Sequence, residues 1–343
     1  MATRSSEQSP SVGILMSGDG MTLDRVVELA VGAEEAGFDS VWHVEIQREP
    51  FVPLAAIAAG TKTIRLGSGV ATWTRSPVTA ALTAADLDEL SHGRFLFGVG
   101  TGPPAWNENY HGIAYERPVE RLREYVEAIR AAWTAHDGAV ASYEGEHFRI
   151  SGFSRALPQA RERIPVFIAA VQRRMLAMAG AVGDGVLLNV FTTPLYLERY
   201  ALPHLGTGAE RAGRPLAELE LASAITTAVD ADGAQAREWA RRHLAFYAVI
   251  PYFDIMFGLH GFEREAAAVR DAAARGDTAA MFAAVPDEMV DTFAIAGTPD
   301  ECRVRLRDFA GLDVAVLFPP SYQLGPDEIE ANHLAILEAF NRP

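Results

Sequence analysis

The chain has 343 residues, 49% of them apolar and 22% charged, with a formal net charge of −15. This is the composition of a packed globule of one large or two ordinary domains, and the acidic balance argues against a nucleic-acid or anionic-membrane partner, which would need a basic surface. A single cysteine, Cys302, excludes an internal disulfide and fits a cytoplasmic protein.

Residues 1–10 are polar, lack an apolar signal core and read as a disordered tail, which leaves residues 11–343 as one domain. From there strand-like and helix-like segments alternate. Residues 12–16 form a short β-rich run, and residues 22–36 carry Leu23, Val26, Val27 and Ala30 on one face before Gly37 stops the helix. A second strand covers 40–44, and Pro53 is expected to open an Ala-rich helix. The third strand spans 63–72. Ser76 and Pro77 read as N-cap and first helical residue. Residues 94–100 form the fourth strand, and residues 117–133 show the clearest amphipathic pattern, with Val119, Leu122, Val126, Ile129 and Trp133 at spacings of three and four.

Residues 140–150 alternate about Glu144-Gly145 and predict a β-hairpin outside the main repeat. Strand five (164–170), a Met-rich helix from Gln172, strand six (183–190), a helix capped by Thr193-Pro194 and strand seven (219–229) follow. The apolar stretch 244–259 is interrupted by Pro251 and Asp254 and is too short to span a bilayer, so no membrane segment is expected. A helical insertion fills 234–294. Thr298, Pro299 and Glu301 then form a capping box, strand eight covers 312–318, and a last helix covers 327–340. Eight near-continuous apolar strands with helices between them predict an α/β fold, a (β/α)8 TIM barrel with two insertions: the hairpin after the fourth long helix and the helical segment between strands seven and eight. An open doubly wound sheet is the alternative.

In such a barrel, chemistry sits where strands end. The fourth strand runs into Gly98, Gly100 and Gly102, then Pro103, Pro104, Trp106, Asn107 and Glu108. With two prolines and no immediate helix expected, the spacing fails the dinucleotide fingerprint, and no G-x-G-x-x-G follows the first strand either. The third strand also ends on glycines, "GSGVATWTR", so two adjacent exits open a flat-walled space that suits a planar ring. A tight turn inside a packed fold is the competing reading of either motif alone. No cluster of histidines and carboxylates falls at the strand exits, so no metal site is expected.

The runs "TIRLGSGVATWTRSPVTAALTAADLDELSHGRFLFGVGTG", "WNENYHGIAYERPVERLREYVEAIRAAW", "YEGEHFRI", "PVFIAAVQRRMLAMAGAVGDGVL" and "GTPDECRVRL" resemble the bacterial luciferase-like oxidoreductase superfamily. Their texture is most similar to its branch that uses the deazaflavin coenzyme F420, the methylene-tetrahydromethanopterin-reductase-like group. The resemblance implies a hydride transfer between F420 and an organic small molecule, and commonly a homodimer. The alternatives are an FMN-dependent monooxygenase of the same superfamily and a cofactor-binding protein that has lost catalysis.

The resemblance also implies roles for residues. Ser68, Gly69 and Val70 match the bulge behind the ring, with a non-prolyl cis bond expected at Gly69-Val70. Thr72, Gly100, Gly102, Trp106 and Asn107 fall beside the ring, Asn189 near the ring or its side chain, and Gln172, Arg173 and Arg174 at the phosphate. Many deazaflavin members carry Asp-His after the second strand. This chain has Glu45-Ile46, so Glu45 is expected to bind cofactor and, with Glu108, to be a candidate acid or base. Trp106 also reads as a lid or core aromatic, Glu108 as a plain loop carboxylate, and Arg174 as a solvated arginine. The aromatics at 246, 247, 252, 253, 257 and 262 read either as a substrate pocket or as a subunit contact.

Overall fold

A computed structural model describes residues 9–342, so all but the last two residues of the expected tail lie outside the described residues. Eight parallel strands close on themselves in the order Ser11–Met16, Ser40–His43, Arg65–Ser68, Phe95–Gly100, Val166–Ala169, Gly185–Leu188, Glu220–Val229 and Val314–Phe318. Closure is explicit in the register, since Gly13 pairs with Ser40 on one side while Ser11 pairs with Val314 on the other. The expected TIM barrel is therefore the fold, and no described helix is long and apolar enough to cross a membrane.

The interior is filled by large side chains from some strands set against glycines on others. Trp42 meets Phe167 edge-on at 5.3 Å, and a Cβ on Gly67 would lie 2.2 Å from the Trp42 ring. The strands are apolar on both faces because helices cover the outside, as parallel sheets require. Arg65 reaches Glu220 across the bottom of the barrel at 2.8 Å and also pairs with Asp39.

Most helix boundaries follow their caps. Ser76 accepts from the Thr79 N–H at 3.1 Å, Thr193 accepts from the Tyr196 N–H at 3.1 Å, and the Glu301 carboxylate accepts from both the N–H and the hydroxyl of Thr298 at 2.8 Å. The second helix begins at Phe51 rather than Pro53, because the Glu49 carboxylate accepts from the N–H groups of Phe51 and Val52 and starts the turn earlier.

The hairpin lies at Val140–Glu144 and Arg149–Ser154, longer than expected at its far end. The segment between strands seven and eight is helical from Gly233–Ala248 to Asp287–Phe293, then adds a short strand, Ala294–Gly297, that pairs with the second half of Glu220–Val229 outside the barrel. One expectation fails. A helix, Pro104–His111, follows the fourth strand directly, with Pro103 at its N-cap and Gly112 as a left-handed stop. Proline at the first helical position starts a helix because its missing N–H is one that a helix leaves unpaired there.

Candidate active site

The third and fourth strands end pressed against each other at the barrel mouth. Ser68 donates its hydroxyl to the Gly98 carbonyl at 2.7 Å, and a Cβ on Gly98 would sit 1.8 Å from the Ser68 carbonyl oxygen. The next peptide, Gly69–Val70, is cis, as expected. Val70 faces the fourth-strand glycines, where a Cβ on Gly100 would lie 2.8 Å from Val70 Cγ2 and 3.1 Å from Ala169 Cβ.

This arrangement floors a cleft of two joined chambers, about 640 and 550 Å³, that share Val70, Gly102, Pro103, Tyr247, Tyr252 and Phe253. The larger chamber is mainly apolar, walled by Val44, Ile46, Trp106, Phe246, Ile250 and Met281. The smaller runs to the N-terminus of the helix Arg173–Val182, past Tyr115, Gly100, Gln172, Arg173 and Arg174.

Of the expected site residues, Glu45, Gly69, Val70, Thr72, Gly102 and Trp106 line the larger chamber, while Gly100, Gln172, Arg173 and Arg174 line the smaller. The Glu45 carboxylate accepts from the Thr72 N–H at 2.8 Å and from Arg75 at 2.9 Å. It is engaged as an acceptor that fixes the third-strand exit, which leaves it badly placed to exchange a proton. Gln172 donates to the Tyr252 carbonyl at 2.6 Å and thereby ties the insertion to the start of the helix Arg173–Val182. Arg174 pairs with Glu120. The Arg173 guanidinium has no partner among the described residues, at a helix start whose first amides lack intrahelical acceptors.

Four expectations are corrected by the geometry. The Ser68 hydroxyl is buried and spent on Gly98, so it does not face the cleft. Asn107 is also buried, with its amide accepting from Trp73 Nε1 and donating to the carbonyls of Thr101 at 2.8 Å and Pro103 at 3.0 Å. It holds the glycine loop and lines neither chamber. Asn189 folds back on its own loop, accepting from the Phe191 N–H at 2.9 Å. Glu108 is exposed on Pro104–His111 and lines neither chamber.

The aromatic stretch divides. Phe246, Tyr247, Tyr252 and Phe253 line the cleft, while Phe257 is buried 4.9 Å from the Phe191 ring and Phe262 packs on Phe293. Residues that pattern reading missed are Tyr115, Gly276, Thr278, Met281 and Tyr322. Four of these come from the insertion or the eighth-strand exit, where no periodic signal marks the wall of a cavity. Away from the mouth, Glu124, Glu146 and His147 bring potential ligand atoms within 4.8 Å of one another on the helix Pro118–Trp133 and the hairpin turn. There His147 is already bonded to Glu124 at 3.0 Å, and Glu146 is paired with Arg117.

His43 is fully buried. Burial pushes its imidazole down to about 4, with the Val44 carbonyl bond opposing that shift. Its Nδ1 lies 3.0 Å from that carbonyl, so the proton sits on Nδ1 and the ring is a packed neutral group.

The model of the luciferase-like monooxygenase family matches residues 3–315. A 5,10-methylenetetrahydromethanopterin reductase of Methanolobus tindarius is 31% identical over 312 residues, which is 90% of this chain and 93% of the relative. The enzyme of the same name from Archaeoglobus fulgidus is 32% identical over 306 residues, 86% of this chain and 89% of the relative. Among solved structures, the coenzyme F420-dependent tetrahydromethanopterin reductase of Methanopyrus kandleri superposes with a TM-score of 0.82 at 26% identity, covering 97% of this chain and all of that one.

Proposed function

The chain belongs to the luciferase-like monooxygenase family and is an oxidoreductase; from that premise we propose that it transfers a hydride between the deazaflavin coenzyme F420 and an organic small molecule. The observation that carries the reading is the cradle itself. Val70 stands against Gly100, and glycines at 100 and 102 let Val70 and Thr72 pack onto the fourth-strand exit, since a Cβ on Gly100 would lie 2.8 Å from Val70 Cγ2 and one on Gly102 3.1 Å from Thr72 Cγ2. The two joined chambers offer room for a ring in one and for a charged tail in the other. The name of the Methanopyrus kandleri structure supports F420 as the partner.

Gly69, Val70, Gly100 and Gly102 would back the ring, Glu45 and Thr72 its polar side, and Arg173 with the following helix start its phosphate. When bound, a deazaflavin supplies or accepts two electrons as a hydride. The chain's own residues then orient and exclude water. Glu45 locks Thr72 and Arg75, Asn107 and Trp73 hold the loop over the cleft, and the apolar wall from Phe246 to Met281 keeps the larger chamber dry. The family's histidine position is Ile46 in this chain, so reduction of an activated double bond or imine suits the site better than alcohol oxidation.

The test is a fluorescence titration of the purified chain with F420 and with FMN, read on Trp73 and Trp106. We expect F420 to quench at micromolar concentration and at least about tenfold more tightly than FMN. Tighter binding of FMN, or of neither, overturns the reading.

A further inference from the structure

A third chamber of about 900 Å³ opens beside the larger one, between the exits of the first, second and eighth strands and the helix Gly233–Ala248. It shares Ile46, Phe246, Tyr247 and Tyr322 with the apolar chamber, so a molecule can lie in both. Unlike its neighbour, it collects polar groups without partners. Asp19 lines the wall and neither of its carboxylate oxygens accepts a hydrogen bond among the described residues; Oδ1 is shielded, so Oδ2 is the oxygen that meets the chamber. Arg48 donates to the Met21 carbonyl at 2.6 Å and forms no ion pair among the described residues. His243, only 2% exposed, lines the wall with both ring nitrogens unbonded.

Buried polar groups are ordinarily paired, and each unpaired one asks what pairs it. A carboxylate only accepts and a guanidinium only donates, with most of its five N–H groups still free at Arg48. The two are not paired with each other. The complement of such a wall is a group with an N–H for the carboxylate and a carbonyl for the guanidinium. Tyr247, which lines all three chambers, stands at their junction.

We propose that this chamber seats the polar end of the organic substrate, an amide-type group whose N–H is taken by Asp19 and whose carbonyl is taken by Arg48. The reacting carbon then lies in the apolar chamber next to Val70. The assignment rests on the F420 reading for what happens at that carbon, but the chamber and its unpaired groups stand on their own.

The experiment compares 4-phenylbutanamide with 5-phenylpentan-2-one, of equal length, by calorimetric titration of the F420-loaded full chain. The amide is expected to bind at least about tenfold more tightly than the ketone. Asp19→Asn should weaken the amide by about tenfold and leave the ketone within about twofold, Arg48→Met should weaken both by about tenfold, and neither should change the F420 titration. Asp19→Asn is isosteric and decides the matter if Arg48→Met fails to fold. Equal affinity of amide and ketone, an Asp19→Asn variant that weakens both alike, or an Arg48→Met variant that weakens neither overturns the proposal. Failure of F420 to bind the unaltered chain sinks the functional reading instead, and the same pair of ligands on the unloaded chain still reads the chamber.

Discussion

Trp73 Nε1 donates to Asn107 Oδ1 across 2.5 Å and joins the exit of the third strand to the helix that follows the fourth. Both side chains are buried, and the Asn107 amide also holds two loop carbonyls. Asn107→Leu strands the indole N–H and frees the glycine loop. We expect a loss of about 2–3 kcal/mol in stability, measured by urea denaturation, together with weaker F420 binding. Unchanged stability would show that the loop is held by something else.

Two glycines two residues apart should behave differently. Alanine at Gly98 places its Cβ 1.8 Å from a backbone oxygen that cannot move without parting the two strands. Gly98→Ala is expected to give little folded protein. At Gly100 the nearest atom is the end of the Val70 side chain, at 2.8 Å. Gly100→Ala should fold, with a near-normal melting temperature, and lose F420 affinity by about tenfold or more. Circular dichroism and the fluorescence titration separate the two outcomes.

The two carboxylates singled out in the sequence should part company as well. Glu45→Gln loses the charge that holds Arg75 and should weaken F420 binding by about five- to thirtyfold. Glu108→Gln removes an exposed charge that reaches neither chamber and should stay within about twofold of the unaltered chain. A large effect at Glu108 with none at Glu45 would reverse the assignment made from the geometry.

Arg173→Ala tests the phosphate end. The affinity for intact F420 should fall by about tenfold, and less so at high salt, while the phosphate-free deazaflavin chromophore should bind as before. Equal losses for both would place Arg173 at the ring.

Glu34 carries a pH signature remote from the site. Burial pushes its carboxyl up, but the N–H groups of Thr63, Ile64 and Lys62 and the Thr63 hydroxyl outweigh that and hold it at about 2. A carboxyl held below its unfolded value contributes stability above that value and loses it as pH falls through the folded one. The contribution should therefore be complete above about pH 4.5 and drain away toward pH 2. Glu34→Gln should flatten that part of a stability-against-pH curve measured by urea denaturation, and an unaltered slope would contradict the assignment.

The alternation of apolar strands and amphipathic helices was enough to specify the barrel, because burial on both faces of a parallel sheet writes itself into consecutive residues. Caps such as Ser76, Thr193 and Glu301 were also legible, because each accepts from an amide only three residues away. The glycines at 69, 100 and 102 also announced themselves, since an absent side chain is visible without a fold. What the order of residues could not decide was the direction of the polar ones. Ser68, Asn107 and Asn189 sit in the right loops, yet the Ser68 hydroxyl is spent on the Gly98 carbonyl, the Asn107 amide on the Trp73 indole and two loop carbonyls, and the Asn189 oxygen on the Phe191 N–H. Tyr247, Thr278 and Tyr322 became cleft residues only when the insertion and the eighth-strand exit folded over the mouth. Short-range chemistry is encoded locally, but a cavity is enclosed by elements far apart in the chain, and only their packing determines which side chains face it.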